Sequence, residues 1–218
     1  MELSLTLDEH LRRSVMLHSR LCPRQVLGVR MARLACTLLG VDPAIERKPL
    51  YVYMEIGRCA ADAVMVVTAS SPSNGLMQLM GYGKVAATFV HRCSGRALRI
   101  CERQDCREIA IQMLPTLPAW EAQRDAYQIM PDEQLFHWQS VYLTEPLPII
   151  PDKYAVTCQH CGDRVNEHCE IIVGGQTLCK ACAFGAYFVP AEIMSPAALP
   201  PAHPALGLSP LHFGEGQG

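Results

Sequence analysis

Apolar residues recur along this chain with two periods. Between Pro23 and Gly40, the residues Leu27, Met31, Leu34, Ala35 and Leu38 fall at i, i+4, i+7, i+8 and i+11, one stripe of an α-helix. Pro23 suits the first helical position, where its missing N–H costs nothing, and Gly40 supplies the stop. An earlier helix is predicted from Asp8 to about Met16. Leu50–Ile56 reads as a strand and Ala60–Val67 as a second apolar helix. Val85–His91 and Ala97–Cys101 read as two strands separated by Ser94-Gly95. Helices over 105–113 and 119–130 and a short closing strand at Ser140–Thr144 complete the series. Helices and strands mix without a regular βαβ alternation and without an internal repeat, so the pattern predicts an α+β fold.

The patterning stops near residue 145. Glu145–Pro151 holds three prolines in seven residues, which favours an extended linker. Residues 154–188 then carry five cysteines and two histidines. The last 29 residues contain six prolines, four glycines and two acidic side chains, a composition expected to stay disordered. The expected organisation is a mixed helix/sheet core over 1–145, a Pro-rich linker over 146–153, a cysteine-rich finger over 154–189 and a disordered tail over 190–218. A length of 218 residues suits one core of about 150 residues plus an appendage.

Eleven cysteines cannot all pair, and about 5% cysteine is below the roughly 8–10% of a disulfide scaffold. Asp8 and Glu9 precede the N-terminal arginines and no apolar h-region follows, so no secretory signal is expected. No apolar run approaches the about 18 residues of a membrane span. A reducing, cytoplasmic setting is therefore expected, with thiols used for metal or catalysis. A net charge of −2 provides no global field for nucleic acid or anionic lipid.

The strongest chemical signal is Cys158-Gln-His-Cys161, seventeen residues, then Cys179-Lys-Ala-Cys182. Two C-x-x-C pairs can close a tetrahedron of sulfurs around one structural zinc ion. A thioredoxin-like redox pair or two disulfides would not explain the separation. Gly162 permits the knuckle turn, Gly174-Gly175 marks a hairpin, and the second pair opens a short helix expected to run through Phe184 and Tyr187. This points to a treble-clef or ribbon finger in which His160, His168 and Cys169 are spare donors. Four closed ligands leave no open position, so this zinc is expected to fold the segment.

A second constellation lies at helix openings. His18-Ser-Arg-Leu-Cys22-Pro23-Arg24 starts the well-marked helix, and Cys59-Ala-Ala-Asp62 opens the next. Helix N-termini and flanking arginines lower a thiol's pKa, so Cys22 is expected as a thiolate, ligand or nucleophile. A single cysteine on a helix is more often a packed hydrophobe. Two cysteines and a histidine at such positions also fit a shared metal or redox site.

On these residues the chain resembles the E subunit of formylmethanofuran dehydrogenase and its homologues. That family reads His-Gly-His-Leu-Cys-Pro-Gly before a helix and Cys-Ala-x-Asp-Ala after a strand, here His18 to Arg24 and Cys59 to Ala63. Tyr82-Gly83-Lys84-Val85-Ala86 resembles its Tyr-Gly-Lys-Met-Ala stretch, and many members end in a four-cysteine finger. The resemblance covers roughly residues 10–100 and 154–188. It implies an α+β core with an auxiliary treble-clef zinc finger, and a core metal or active site. Carried over by position, His18, Cys22 and Cys59 are the candidate core ligands. Asp62 stands behind them or exchanges a proton, so Cys22, Cys59 and Asp62 are the candidate catalytic residues. The chain departs from the motif at Arg20 and Arg24, which replace a histidine and a glycine, and at Ala69-Ser70-Ser71, which replaces Gly-Cys-Thr. A guanidinium cannot ligate a metal, so Arg20 and Arg24 become candidate anion-binding residues.

The remaining polar features are read as structural. Arg12, Arg13, Arg20, Arg24, Arg30 and Arg33 fall in residues 10–41 without an acid, which suggests an anion-binding surface or, more simply, a solvated helix face. Cys36, His91, Cys93, Cys101 and Cys106 match no common finger and are expected to pack. The function implied is a zinc-binding cytoplasmic protein with a metal or redox pocket in its core, accessory to a molybdenum or tungsten oxidoreductase. Its own enzymatic status stays open. The alternatives are a non-enzymatic zinc-finger module for protein or nucleic acid, or metal storage and delivery. Arg164 and Lys180 are the only basic residues of residues 154–188, which disfavours nucleic acid. A homodimer and oxidoreductase subunits are the partners considered, and no membrane is.

Overall fold

The computed structural model describes residues 2–148 and 154–189. Residues 149–153 of the expected linker and all of the expected tail, 190–218, lie outside the described residues. The chain divides into two compact units, Met1–Ile150 and Pro151–Gly218.

The first unit is α+β, as the mixed patterning predicts. Helix α1, Leu7–His18, starts at a capping box in which Thr6 Oγ1 accepts the Glu9 N–H at 3.2 Å and Glu9 Oε2 accepts the Thr6 N–H at 2.7 Å. Helix α2, Pro23–Leu39, closes at Gly40, whose positive φ of 75° lets its N–H reach Cys36 O at 2.9 Å. It is the central helix and packs on α1, on strand β4, Ala97–Glu102, and on helices α3, Cys59–Thr68, and α5, Ala119–Ile129. Burial therefore extends beyond the stripe, to Val26, Val29 and Ala32, while Leu38 at its end is exposed. Gly28 marks the α2–α3 crossing: a Cβ there would lie 2.6 Å from Ala60 O and 2.8 Å from Ala63 Cβ.

Five strands form the sheet: β1, Leu50–Met54; β2, Met77–Leu79; β3, Ala86–His91; β4, Ala97–Glu102; and β5, Phe136–Val141. Their order is β2-β1-β3-β4-β5, parallel between β1 and β2 and antiparallel elsewhere. Val52 faces Phe89, Phe89 faces Leu98 and Ile100 faces Trp138, a row that joins the helix-side core. On the other face Tyr51, Val90 and Ala97 gather with Leu76, and Val141, Leu143 and Leu147 pack against them. The chain thus stays packed on this unit past residue 145. Glu55, 5% exposed, is held there by two bonds from Arg99, at 2.7 and 2.9 Å.

Three features depart from the expectation. Strand β5 begins at Phe136 rather than Ser140, because pairing along the six residues of β4 decides its extent. Strand β2 and helix α6, Asp132–Leu135, were not expected, both being too short for a period to register. Arg30 and Arg33 are half-buried and bonded rather than part of a solvated face. The Arg30 guanidinium donates to the carbonyls of Tyr127, Gln128 and Met130 at 2.7–3.1 Å and pairs with Asp132 at 2.8 Å, capping the end of α5. Arg33 donates to Leu5 O and meets His10 Nδ1 at 2.8 Å.

The second unit is small. Strands β6, Ala155–Thr157, and β7, Arg164–Asn166, form one hairpin, and β8, Ile171–Val173, and β9, Gln176–Leu178, form another. Gly174 and Gly175, both with positive φ, make the second turn. The closing helix α7 is Lys180–Phe184 and stops at Gly185, so Tyr187 lies beyond it and fully exposed. Among the described residues no helix is long and apolar enough to cross a membrane.

Candidate metal centres

Three helix ends build the core cluster. His18 is the last residue of α1, Cys22 precedes the first residue of α2, and Cys59 opens α3 a short loop after β1. One ligand atom from each of His18, Cys22 and Cys59 lies within 4.8 Å of the others. Asp62 sits three residues after Cys59, on the same helix face, and its Oδ2 is 3.0 Å from His18 Nδ1. Cys22 is buried, whereas His18, Cys59 and Asp62 are partly open to solvent.

The backbone at Cys22 is held by a residue that the motif reading passed over. Gln25 is fully buried; its Oε1 accepts the Cys22 N–H at 3.1 Å while its Nε2 donates to Ser14 O at 3.1 Å and Ser14 Oγ at 3.0 Å. It thereby ties α1 to the start of α2. An amide three residues into a helix is the capping-box position, and that was its only sequence signal.

The Cys22 thiol does not behave as its helix position alone suggests. Burial pushes its pKa up, and the Cys59 thiol beside it adds to the rise, against the lowering by the Gln25 and Arg24 N–H groups. Taking the thiol out of water outweighs the helix terminus.

Arg20 and Arg24 diverge. The Arg20 guanidinium lies over the Trp120 ring in the first turn of α5, 5.9 Å from its centroid, and Arg124 lies over the same ring at 5.5 Å. The Arg24 charge acts on Glu102, whose carboxyl is pushed up by burial and drawn back down by Arg24 and Arg107.

In the second unit the sulfurs of Cys158, Cys161, Cys179 and Cys182 lie within 4.8 Å of one another. Gly162, at φ 79°, turns the chain so that its N–H reaches Cys158 O at 3.0 Å. The N–H groups of Cys161 and Cys179 hold the Cys158 thiol down at about 6, while hydrogen bonding to Cys179 and burial push Cys182 up to about 12. Four thiols this close cannot all ionise unaided, and a soft divalent cation supplies the charge that lets them. The donor set therefore fits a metal ion. Of the spare donors, His160 Nδ1 comes within 3.4 Å of Cys182 Sγ and His168 stacks on Tyr154.

The other cysteines do not gather. Cys36 is buried in the core, its thiol pushed up to about 12, and Cys106 is buried with its Sγ 3.7 Å from the Tyr127 hydroxyl. Cys93, expected to pack, is instead exposed on the β3–β4 turn.

Residues 17–140 match the family described as "FmdE, Molybdenum formylmethanofuran dehydrogenase operon". The chain belongs to the FmdE family. The match takes in the whole core cluster, from His18 to Asp62. An FmdE-like protein of the tungsten formylmethanofuran dehydrogenase type, from Syntrophus aciditrophicus, shares the fold: TM-score 0.61, 20% sequence identity, over 85% of this chain and 96% of that one. A probable S-adenosyl-L-methionine-binding protein of Archaeoglobus fulgidus is 31% identical over 86 residues, 38% of this chain. The shared stretch spans only 24% of that archaeal protein.

Proposed function

We propose that this FmdE-family chain is a zinc-binding metalloprotein with a second, open metal site in its core, acting beside a molybdenum or tungsten oxidoreductase. The observation that carries the reading is the convergence of His18, Cys22 and Cys59 from three separate helix ends, with Asp62 behind the histidine. The bond from Asp62 to Nδ1 leaves Nε2 to face an ion, the usual way a carboxylate sets a ligand histidine. Two thiolates and one imidazole leave a fourth position for water or substrate. A metal held there would supply Lewis-acid polarisation of whatever occupies that position. Cys22 and Cys59 would be its sulfur ligands, and Asp62 would hold or pass a proton at His18. The four cysteines of the second unit form a closed set in a treble-clef arrangement, so their zinc serves folding. The family's description supports the accessory role, and a cytoplasmic setting suits eleven cysteines none of which is bridged.

A protein-binding module is the second reading. Phe184, Tyr187, Phe188 and Val189 are all exposed at the end of the finger, a contiguous apolar run of the kind that marks interaction surfaces.

Metal analysis of the purified chain against a Cys22→Ser/Cys59→Ser variant tests the core site. Two metal ions per chain falling to one is the expected result. One ion in both proteins refutes the core site and leaves the binding module.

A further inference from the structure

We infer that the core cluster serves a ligand bearing a carboxylate or phosphate group, and that Arg20, seated on Trp120, receives that group. The inference deepens the proposed function, because it takes the His18/Cys22/Cys59 cluster to be the working site.

Arg20 is two residues from His18 and two from Cys22, so its Cα lies at most about 7 Å from either. From this loop its side chain crosses to α5 and places the guanidinium over the indole of Trp120, which is 42% exposed. An aromatic ring engages the guanidinium through its face. The in-plane N–H donors stay available, and their fork matches two oxygens of one acid group.

Charge accounting separates Arg20 from Arg124, the other arginine on the ring. Arg124 shares the ring, but its Nε and Nη2 donate to Asp125 at 2.6 and 2.8 Å, so its fork is occupied. Glu121, near Arg124, also acts on that arginine. The Arg24 charge acts on Glu102, and Asp62 is engaged by His18. Among the described residues no carboxylate oxygen lies within 4.0 Å of the Arg20 guanidinium. Arg20 is thus a cation on the loop between His18 and Cys22 with no carboxylate partner among the described residues, steadied by a ring that leaves its donors open. The loop that carries Arg20 also joins His18 to Cys22, so a small acid held there sits on the segment that supplies two of the three cluster residues.

The test uses the full chain and the two tryptophans it contains, Trp120 and Trp138. In a Trp138→Phe background, Trp120 emission is followed during titration with inorganic phosphate and, separately, with malonate, at constant ionic strength in chloride. A saturable change is expected, and Arg20→Gln should weaken it about ten-fold or more. Calorimetric titration should show Trp120→Leu weakened as well, because Arg20 loses its seat. Arg47→Gln, an exposed arginine on another loop, should bind as the unmodified chain does. Saturation by phosphate alone identifies a phosphate-bearing ligand, and by malonate alone a carboxylate-bearing one; either supports the inference. No saturable change with either anion, or undiminished binding by Arg20→Gln, overturns it. Metal content measured on the same samples separates the two proposals. Anion binding without a core metal removes only the metal site, and a core metal without anion binding removes only the anion subsite.

Discussion

Asp62 Oδ2 lies 3.0 Å from His18 Nδ1, a bond between residues 44 apart that joins the first turn of α3 to the last residue of α1. In the proposed core site it gives one carboxylate two tasks: to choose the histidine's tautomer and to hold its ring toward the two thiols. Asp62→Asn keeps the shape and removes the charge. Core metal affinity should fall about 10–100-fold, measured by competition with a chromogenic chelator, while the four-cysteine cluster keeps its ion. Unchanged core affinity would show that Asp62 has no part in the site.

The four-cysteine cluster makes a different prediction. Cys158→Ser should remove one metal ion per chain and unfold residues 154–189. A structural zinc ion contributes about 10 kcal/mol or more to folding a unit of this size. Limited proteolysis with fragment mass analysis should then cut within the second unit and leave residues 2–148 resistant.

His10 should make stability depend on pH. It is 4% exposed, and burial together with Arg33 lowers its pKa from 6.5 to about 4. The unfolded chain therefore binds a proton near pH 6.5 that the folded chain refuses until about pH 4. The stabilisation is complete above about pH 6.5 and is lost as pH falls toward 4, by up to about 3 kcal/mol. His10→Gln should flatten that slope in urea titrations run from pH 4 to 7. A parallel slope in the variant would exclude His10 as its source.

Gly28 should tolerate no side chain. A Cβ at 2.6 Å from Ala60 O has backbone, not a movable side-chain tip, in its way. Gly28→Ala should destabilise the first unit by about 1–3 kcal/mol, read as a lower urea midpoint, because α2 and α3 must part. The same displacement would spread Cys22 from Cys59, so core metal affinity should drop along with stability.

Much of this was legible along the chain. The Leu27–Leu38 stripe, with proline before and glycine after, located α2 to within a residue, because helix periodicity and its end signals lie in contiguous positions. The paired C-x-x-C spacing marked a four-sulfur cluster for the same reason: each pair spans one local turn. His18, Cys22 and Cys59 were readable as a set through the family resemblance, although no spacing rule links residue 59 to residue 18. Strand β5 was misplaced because its extent depends on β4, and β2 was missed because three residues carry no period. At Cys22 the sequence shows the helix terminus, which is a local feature, but not the burial that pushes its thiol's pKa up, which the packed neighbours impose.

The sequence by itself determined the helix and strand inventory in outline, the four-cysteine group and the identity of the three core-cluster residues. Tertiary structure decided what those donors face. Packing of α1, α2 and α3 set Asp62 behind His18, buried Gln25 against Ser14 and Cys22, and left Arg20 on Trp120 rather than beside Arg24. The physical reason is range. Periodicity and chelate spacing act over one or two turns of chain, while burial, ion pairing and aromatic stacking depend on residues that meet only once the helices have packed.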